Sequence, residues 1–299
     1  MANVELNVMQ IVRLNFSVRP LRDVVLPPMT SKVVKYLILS EKVLPFVKDL
    51  VESKRKQKPL FISNLGLNGR RLYSTEEMIR RGDVIKVKAF TKMSASVSFP
   101  MMGEIMNMGG GRVSTPYGDF EILLESINVF NGFNSDVEGK NLKVRIVTPA
   151  LLSSKIYLPP FLERYRKAKV GLSLIPSPGL LVASAYRTYL GLLGSTENEE
   201  EDLKSFKLTV LVNGLSKVVD FELKPVTVII GEDDKGRLRK SRGVEGWIMF
   251  DVTGKLKRAV AKYLSVASYL GVGKSRGIGL GEIKLDLVDR SKVEQEGSN

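Results

Sequence analysis

Hydrophobic and polar positions alternate at the start of the chain. Over residues 10–18, Val12, Leu14, Phe16 and Val18 fall on one side, and Ile11, Arg13, Asn15 and Ser17 on the other. That period of two is the mark of a half-buried strand. Pro27 and Pro28 interrupt it. Thr30 or Ser31 then caps a helix whose inner face is Val33, Val34, Leu37 and Ile38. Lys32, Lys35 and Tyr36, at i, i+3 and i+4, share another face of that helix. A second helical piece over residues 43–53 runs into the basic segment Lys54, Arg55, Lys56 and Lys58. Strands are expected at residues 59–65, 84–90 and 119–130, with residues 70–73 pairing with the first. The Met- and Gly-rich residues 101–111 read as a loop with apolar anchors. This order approximates a βαββαβ unit, and residues 131–141, rich in Gly, Asn and Asp, read as the linker after it.

The second half repeats the grammar. A strand is expected at 142–148, then a proline-punctuated loop with a short basic segment at 164–169, then an amphipathic helix at 180–193. The acidic run 197–202 reads as a solvated loop, and residues 205–212 and 218–230 as strands. Asp233-Asp-Lys-Gly236 is turn chemistry. The basic segment Arg237, Arg239, Lys240 and Arg242 precedes a strand at 246–252, and helical spacing resumes from residue 255 to 270. The expected architecture is α+β: two tandem ferredoxin-like, RRM-like βαββαβ domains, residues 1–135 and 136–299.

Between that last helix and a final strand at 278–287 lie Gly271, Gly273, Gly277, Gly279 and Gly281, with Lys274, Ser275 and Arg276 among them. Glycine permits φ > 0 and close approach of another chain. Successive amides in such a loop can converge on phosphate oxygens, and Lys274 and Arg276 add charge-assisted contacts. The expectation is a phosphate cradle. Gly-Val-Gly-Lys-Ser resembles the end of a Walker A loop, but Ser268 stands where that motif needs its first glycine, and the helix precedes the loop instead of following it. Arg276 likewise occupies the third glycine of a dinucleotide fingerprint. A nucleotide hydrolase is therefore the weaker reading, needing magnesium-dependent ATP turnover to support it.

Composition narrows the chemistry. The 299 residues contain no cysteine and no histidine, which excludes disulfides, thiol nucleophiles, the usual zinc sites and every histidine-based acid–base device. The net charge of +14 is spread along the chain and points to a broad anion-binding surface, nucleic acid before membrane. With 43% hydrophobic residues the chain can bury substantial cores. The opening Met-Ala-Asn-Val-Glu lacks the basic and apolar segments of a signal peptide, and the longest apolar run, 179–194, carries Arg187. A soluble, cytoplasmic protein is expected. The cysteine-free, Val-, Leu- and Lys-rich composition also suits a heat-adapted intracellular protein.

A helix, a basic glycine-rich loop closed by Gly-φ-Gly and a last strand resemble the signature of the RAMP superfamily of CRISPR-associated RNA-binding proteins. The Thr30-Ser-Lys-Val-Val-Lys-Tyr36 helix, the Leu151-Leu-Ser-Ser-Lys155 segment and the Gly243-Val-Glu-Gly-Trp247 strand are similar to archaeal CRISPR-associated endoribonucleases that cut precursor CRISPR RNA within its repeats. The resemblance implies metal-independent cleavage without a cofactor, by attack of the 2′-hydroxyl on its own 3′ phosphate. The products would be a 2′,3′-cyclic phosphate and a free 5′-hydroxyl. CRISPR repeat RNA is the implied partner, with a homodimer and transfer of product to an effector complex as further associations. The alternative is a non-catalytic subunit that binds CRISPR RNA within such a complex.

Many members of that group place a tyrosine, a histidine and a lysine in the N-terminal unit, and a chain without histidine cannot carry that set whole. Amines and guanidinium groups can stabilise a developing phosphorane. A lysine with a free pKa of about 10.4 acts as a base only where burial or neighbouring cations lower that value. Lys32 and Lys35 on the first helix, Lys58 at the next strand, Arg239 from the second half and Tyr36 as an orienting group are the expected catalytic set. RNA binding is assigned to Lys274, Ser275, Arg276, Gly271, Gly273, Gly277, Gly279 and Gly281, with Arg237, Lys240 and Arg242, and with Lys54 and Arg55 as an extension. Aromatic residues are only 7% of the chain, so broad base-stacking platforms are not expected.

Overall fold

The computed structural model of the protein describes residues 10–39, 58–73, 77–79, 91–93, 111–131, 136–166, 170–195 and 198–290. The expected helix at 43–53, the strand at 84–90 and most of the Met- and Gly-rich segment lie outside them, as do Lys54 and Arg55.

In the first half, the alternation at the N-terminus becomes β1 (Gln10–Pro20). It pairs antiparallel along its length with β9 (Gly118–Asn131), with a bulge between Asn15 and Phe16. On its other side are β7 (Thr91–Met93) and then β3 (Leu60–Ile62), while β8 (Gly111–Thr115) flanks β9, giving the order β3-β7-β1-β9-β8. Short ladders join β2 (Val24–Leu26) to β6 (Glu77–Ile79) and β4 (Gly66–Leu67) to β5 (Arg70–Arg71). Within the 70–73 segment Arg70 and Arg71 thus pair with β4, the Leu72 amide donates to Leu65 and Tyr73 bridges to Met29, while β3 itself pairs with β7. One helix, α1 (Ser31–Leu39), lays Val33, Val34 and Leu37 on Leu14, Phe16 and Leu60. Its start is capped from a distance. The Asn64 carboxamide accepts from the Ser31 amide at 3.0 Å. The Thr30 hydroxyl instead ties Leu72 and Leu65 together.

In the second half, β10 (Lys140–Ala150), β13 (Ser216–Glu232), β14 (Leu238–Val252) and β15 (Ile283–Asp289) form an antiparallel sheet in the order β13-β14-β10-β15. Helices α2 (Pro178–Leu192) and α4 (Leu256–Leu270) bury Leu180, Leu181, Val260 and Leu264 against Leu142, Val144, Ile248 and Phe250. Apart from a second helix before β13, the order is β-α-β-β-α-β with the first strand central, which is ferredoxin-like. Between β10 and α2, β11 (Leu152–Ser153) and β12 (Leu172–Ser173) form a two-residue ladder.

Three expectations fail here. Residues 205–212 are not a strand, and the acidic run from Glu199 onward is not a loop; both belong to α3 (Glu199–Leu215). The Asn198 side chain caps it by accepting from the Glu201 amide at 2.8 Å. Glu199, Glu200, Glu201 and Asp202 occupy its first turn, where the helix dipole favours negative charge. The basic segment 237–242 also does not precede a strand, for its greater part opens β14 and pairs with β13. None of the described helices is long and apolar enough to cross a membrane.

Candidate functional site

The glycine-rich loop does not form an open cradle; it is the joint between the halves. Gly271 lies against the Phe61 ring, Gly273 against the Leu151 backbone and Gly279 against Asn64. A Cβ on Gly279 would come within 2.5 Å of the Asn64 side chain, and one on Gly281 within 1.9 Å of the Val272 carbonyl oxygen. Both residues also hold positive φ, +78° and +72°, which glycine alone adopts readily. Most of the loop amides are already engaged. Val272 donates to Gly281, Lys274 to Leu151 and Gly281 to Pro149 at 2.8–3.0 Å, and the Gly273 amide donates to Ser184 Oγ at 2.8 Å. The phosphate role expected for Gly271, Gly273, Gly279 and Gly281 is therefore corrected to a packing role.

Arg276 is corrected in the same way. It is buried, and its guanidinium donates to the carbonyl oxygens of Leu270 at 3.0 Å and Lys58 at 3.3 Å. Burial pulls it down to about 10, so it keeps its charge at neutral pH. It staples the loop to Lys58, which stands just ahead of β3 in the first half. Lys274 and Gly277 face solvent, and Ser275 is half-buried with φ +63°.

The joint is polar and closely matched. Ser31 Oγ donates to the Ile278 carbonyl at 2.7 Å, and Asn64 Nδ2 to that of Gly279 at 3.0 Å, where Thr148 Oγ1 also donates at 2.9 Å. Arg71 and Glu282 form a buried bidentate ion pair across it. Met29, Leu151, Val228 and Leu280 make an apolar knot beside these groups.

Around the joint the structure brings some expected catalytic groups together. The Lys32 ammonium lies 3.4 Å from where a Cβ on Gly231 would stand. Gly231 pairs with Arg239 across the β13–β14 hairpin. The N-terminal helix and the basic hairpin of the second half thus meet at Lys32. Lys35 is exposed on α1, and Lys58 is partly buried within electrostatic reach of it. Burial first, and the Lys35 charge second, lower the proton affinity of the Lys58 amine. Tyr36 turns elsewhere, its ring edge-on to Tyr117 at 6.1 Å. Arg237 folds back on Asp233, its Nε 2.8 Å from Oδ2. Lys240 and Arg242 stay exposed along β14.

Sequence reasoning missed a cleft of about 1170 Å³ on another side of the joint, lined by Arg13, Arg70, Arg71, Glu282, Lys284 and Asp286 among others. Burial lowers the Arg13 pKa, with Tyr269 and Glu282 opposing the shift. Arg13 had shown itself only as a polar position in an alternating strand, and Arg70 and Arg71 only as part of a short strand-pairing segment.

Two family models match the chain: the Cas6 N-terminal domain over residues 12–130 and the CRISPR-associated endoribonuclease Cas6 over residues 144–283. The chain is 44% identical over 290 residues to CRISPR-associated endoribonuclease Cas6 1 of Saccharolobus solfataricus, covering 94% of this chain and 98% of that protein. It is 45% identical over 296 residues to Cas6 2 of the same organism, covering 96% and 99%. Among solved structures, a Cas6 product complex superposes with a TM-score of 0.58 at 17% identity, covering 93% of this chain and 100% of that one. Thermus thermophilus Cas6 superposes with a TM-score of 0.54 at 15% identity, covering 93% and 98%. At these identities the structures speak to the fold.

Proposed function

The chain belongs to the Cas6 family of CRISPR-associated endoribonucleases, and on that premise we propose that it cuts precursor CRISPR RNA within its repeats, without a metal ion. The observation that carries the catalytic part is the lowered proton affinity of Lys58 beside Lys35. A lysine amine below its ordinary value is neutral more of the time than a free one, which suits it to accept a proton. In the proposed step the 2′-hydroxyl oxygen attacks the adjacent phosphorus and passes its proton to Lys58. As the O2′–P bond forms, the P–O5′ bond breaks, and the departing 5′ oxygen takes a proton from the Lys35 ammonium. A 2′,3′-cyclic phosphate and a 5′-hydroxyl result. Lys32 and Arg239 bring charge from the two halves toward the phosphorane, where fixed cations are worth several kcal/mol, of order 3 for one well-placed donor. Tyr36, set against Tyr117, is left out of the chemistry.

Binding is assigned to the exposed part of the joint, Lys274, Ser275 and Gly277, continued by Lys240 and Arg242 on β14. These contacts hold phosphates and carry no sequence information. Self-association and hand-over of product to an effector complex belong to the same reading. The complete absence of histidine favours one rival, a subunit that binds CRISPR RNA without cutting it. Incubation with repeat RNA in EDTA decides between them: a discrete product ending in a 2′,3′-cyclic phosphate is expected, and RNA bound but intact would give the rival the case.

A further inference from the structure

The segment between β11 and β12 carries apolar surface that its own fold does not bury. Phe161 is 75% exposed and Tyr165 47%, and Ile175, just past β12, is 77% exposed. The rings do not sit on a loose chain. Pro159 and Pro160 are buried at their base. The Leu162 amide donates to the Pro159 carbonyl at 3.1 Å and the Tyr165 amide to Leu162 at 3.0 Å. The Arg164 guanidinium lies 4.5 Å from the centre of the Tyr165 ring. At the root of this flap, Leu151 accepts from the Lys274 amide at 3.0 Å. Leu172 of β12 packs into the knot of Met29, Val228 and Leu280. The root of the flap therefore stands at the exposed lysine of the joint and next to the hairpin that carries Lys240 and Arg242.

We infer that this flap is a base-stacking platform. Phe161 and Tyr165 take unpaired bases of the same RNA strand whose phosphates the neighbouring basic residues hold. The inference rests on the RNA-binding reading above and adds to it a second kind of contact. Aromatic faces accept any base by stacking, and a guanidinium already stacked on one ring suits that use. Arg164 beside the Tyr165 ring, and Lys274 at the root of the flap, match a polyanion in charge. A protein partner would find the same rings, and the test separates the two.

The full-length protein is titrated into fluorescein-labelled single-stranded repeat RNA from the CRISPR array of its source genome, and binding is read by anisotropy. Phe161→Ala and Tyr165→Ala are each expected to weaken binding about ten-fold. Phe161→Tyr and Tyr165→Phe are expected to bind like the wild type. The salt dependence should keep its slope in all four, because no phosphate contact is removed. Circular dichroism melts should not move, since both rings lie outside the cores. Wild-type affinity in both alanine variants would overturn the platform and hand the flap to a protein partner. A wild-type protein that binds no RNA would overturn this inference and the functional reading together. Tight binding without cleavage would remove only the nuclease.

Discussion

Arg71 and Glu282 meet fork to fork across the joint, Nε donating to Oε2 at 2.9 Å and Nη2 to Oε1 at 2.7 Å. Their side chains are 12% and 6% exposed, so deleting either removes a buried counter-charge from the other. Removing one partner of such a pair costs about 3–5 kcal/mol. Glu282→Leu should therefore lower stability by that order in urea denaturation, while Arg71→Met combined with Glu282→Leu should lose less than Glu282→Leu alone. Additive losses from the two substitutions would show that the ion pair does not couple the halves.

The same joint predicts opposite outcomes for two glycines two residues apart. A Cβ on Gly279 meets Asn64 at 2.5 Å at a φ of +78°, whereas one on Gly277 meets nothing within 4 Å. Backbone strain alone costs about 1–3 kcal/mol, so Gly279→Ala should lower the melting temperature clearly. Gly277→Ala should stay within about 0.5 kcal/mol of wild type. Equal melting temperatures would mean that the loop is not packed as described.

These contrasts mark where the sequence was legible. Period-two alternation identified β1 because Val12, Leu14, Phe16 and Val18 all turn into one core, although Ile11 and Asn15 on its other face are covered too. Helical spacing identified α4 for the same reason. It failed at α3, whose apolar residues lie on several faces: Val212 is buried, but Val210, Leu211 and Leu215 are exposed. The better signal there was Asn198 followed three residues later by Glu201, a helix-start pattern, with acids filling the first turn. The glycine loop was located correctly and its role misjudged. A glycine that admits a ligand and one that admits a neighbouring backbone look alike in sequence, and only Phe61, Asn64 and Leu151, distant in the chain, tell them apart. Arg276 was mistaken for a surface cation because the carbonyls it serves, Leu270 and Lys58, are assembled by tertiary contact.

Tyr73 donates its hydroxyl proton to Glu245. Burial raises the Glu245 carboxyl above the usual carboxylate range, and the Tyr73 hydrogen bond followed by the Lys224 charge pulls it back. A carboxyl with a raised folded value contributes stability at low pH and loses it as pH rises through that value. Tyr73→Phe removes the larger of the two opposing effects, so the folded value rises further and more stability is lost on ionisation. The variant should be about 1–3 kcal/mol less stable at pH 7, with a smaller gap at acid pH where Glu245 is protonated. A gap that does not change with pH would assign the effect to packing alone.

Lys35 and Lys58 make the catalytic proposal testable through pH. The Lys58 amine is lowered by burial first and by Lys35 second. With Lys58 accepting the 2′-hydroxyl proton, single-turnover cleavage should rise with pH and level off below the ordinary lysine value of about 10.4. Lys35→Ala removes the proton donor to the leaving oxygen, so cleavage slows at every pH; it also deletes a like charge, so the Lys58 value must rise and the inflection must move to higher pH. The shift is only partial, because burial remains. Below the inflection, each unit of upward shift cuts the neutral fraction, and with it the rate, about ten-fold. Loss of one phosphate contact would instead reduce the salt slope of binding by about 0.7 and raise the RNA concentration needed for half-maximal cleavage. It would leave the pH profile in place. An unmoved inflection in Lys35→Ala, with weaker binding as its sole defect, would therefore reduce Lys35 to an RNA-holding residue and detach Lys58 from the proton transfer.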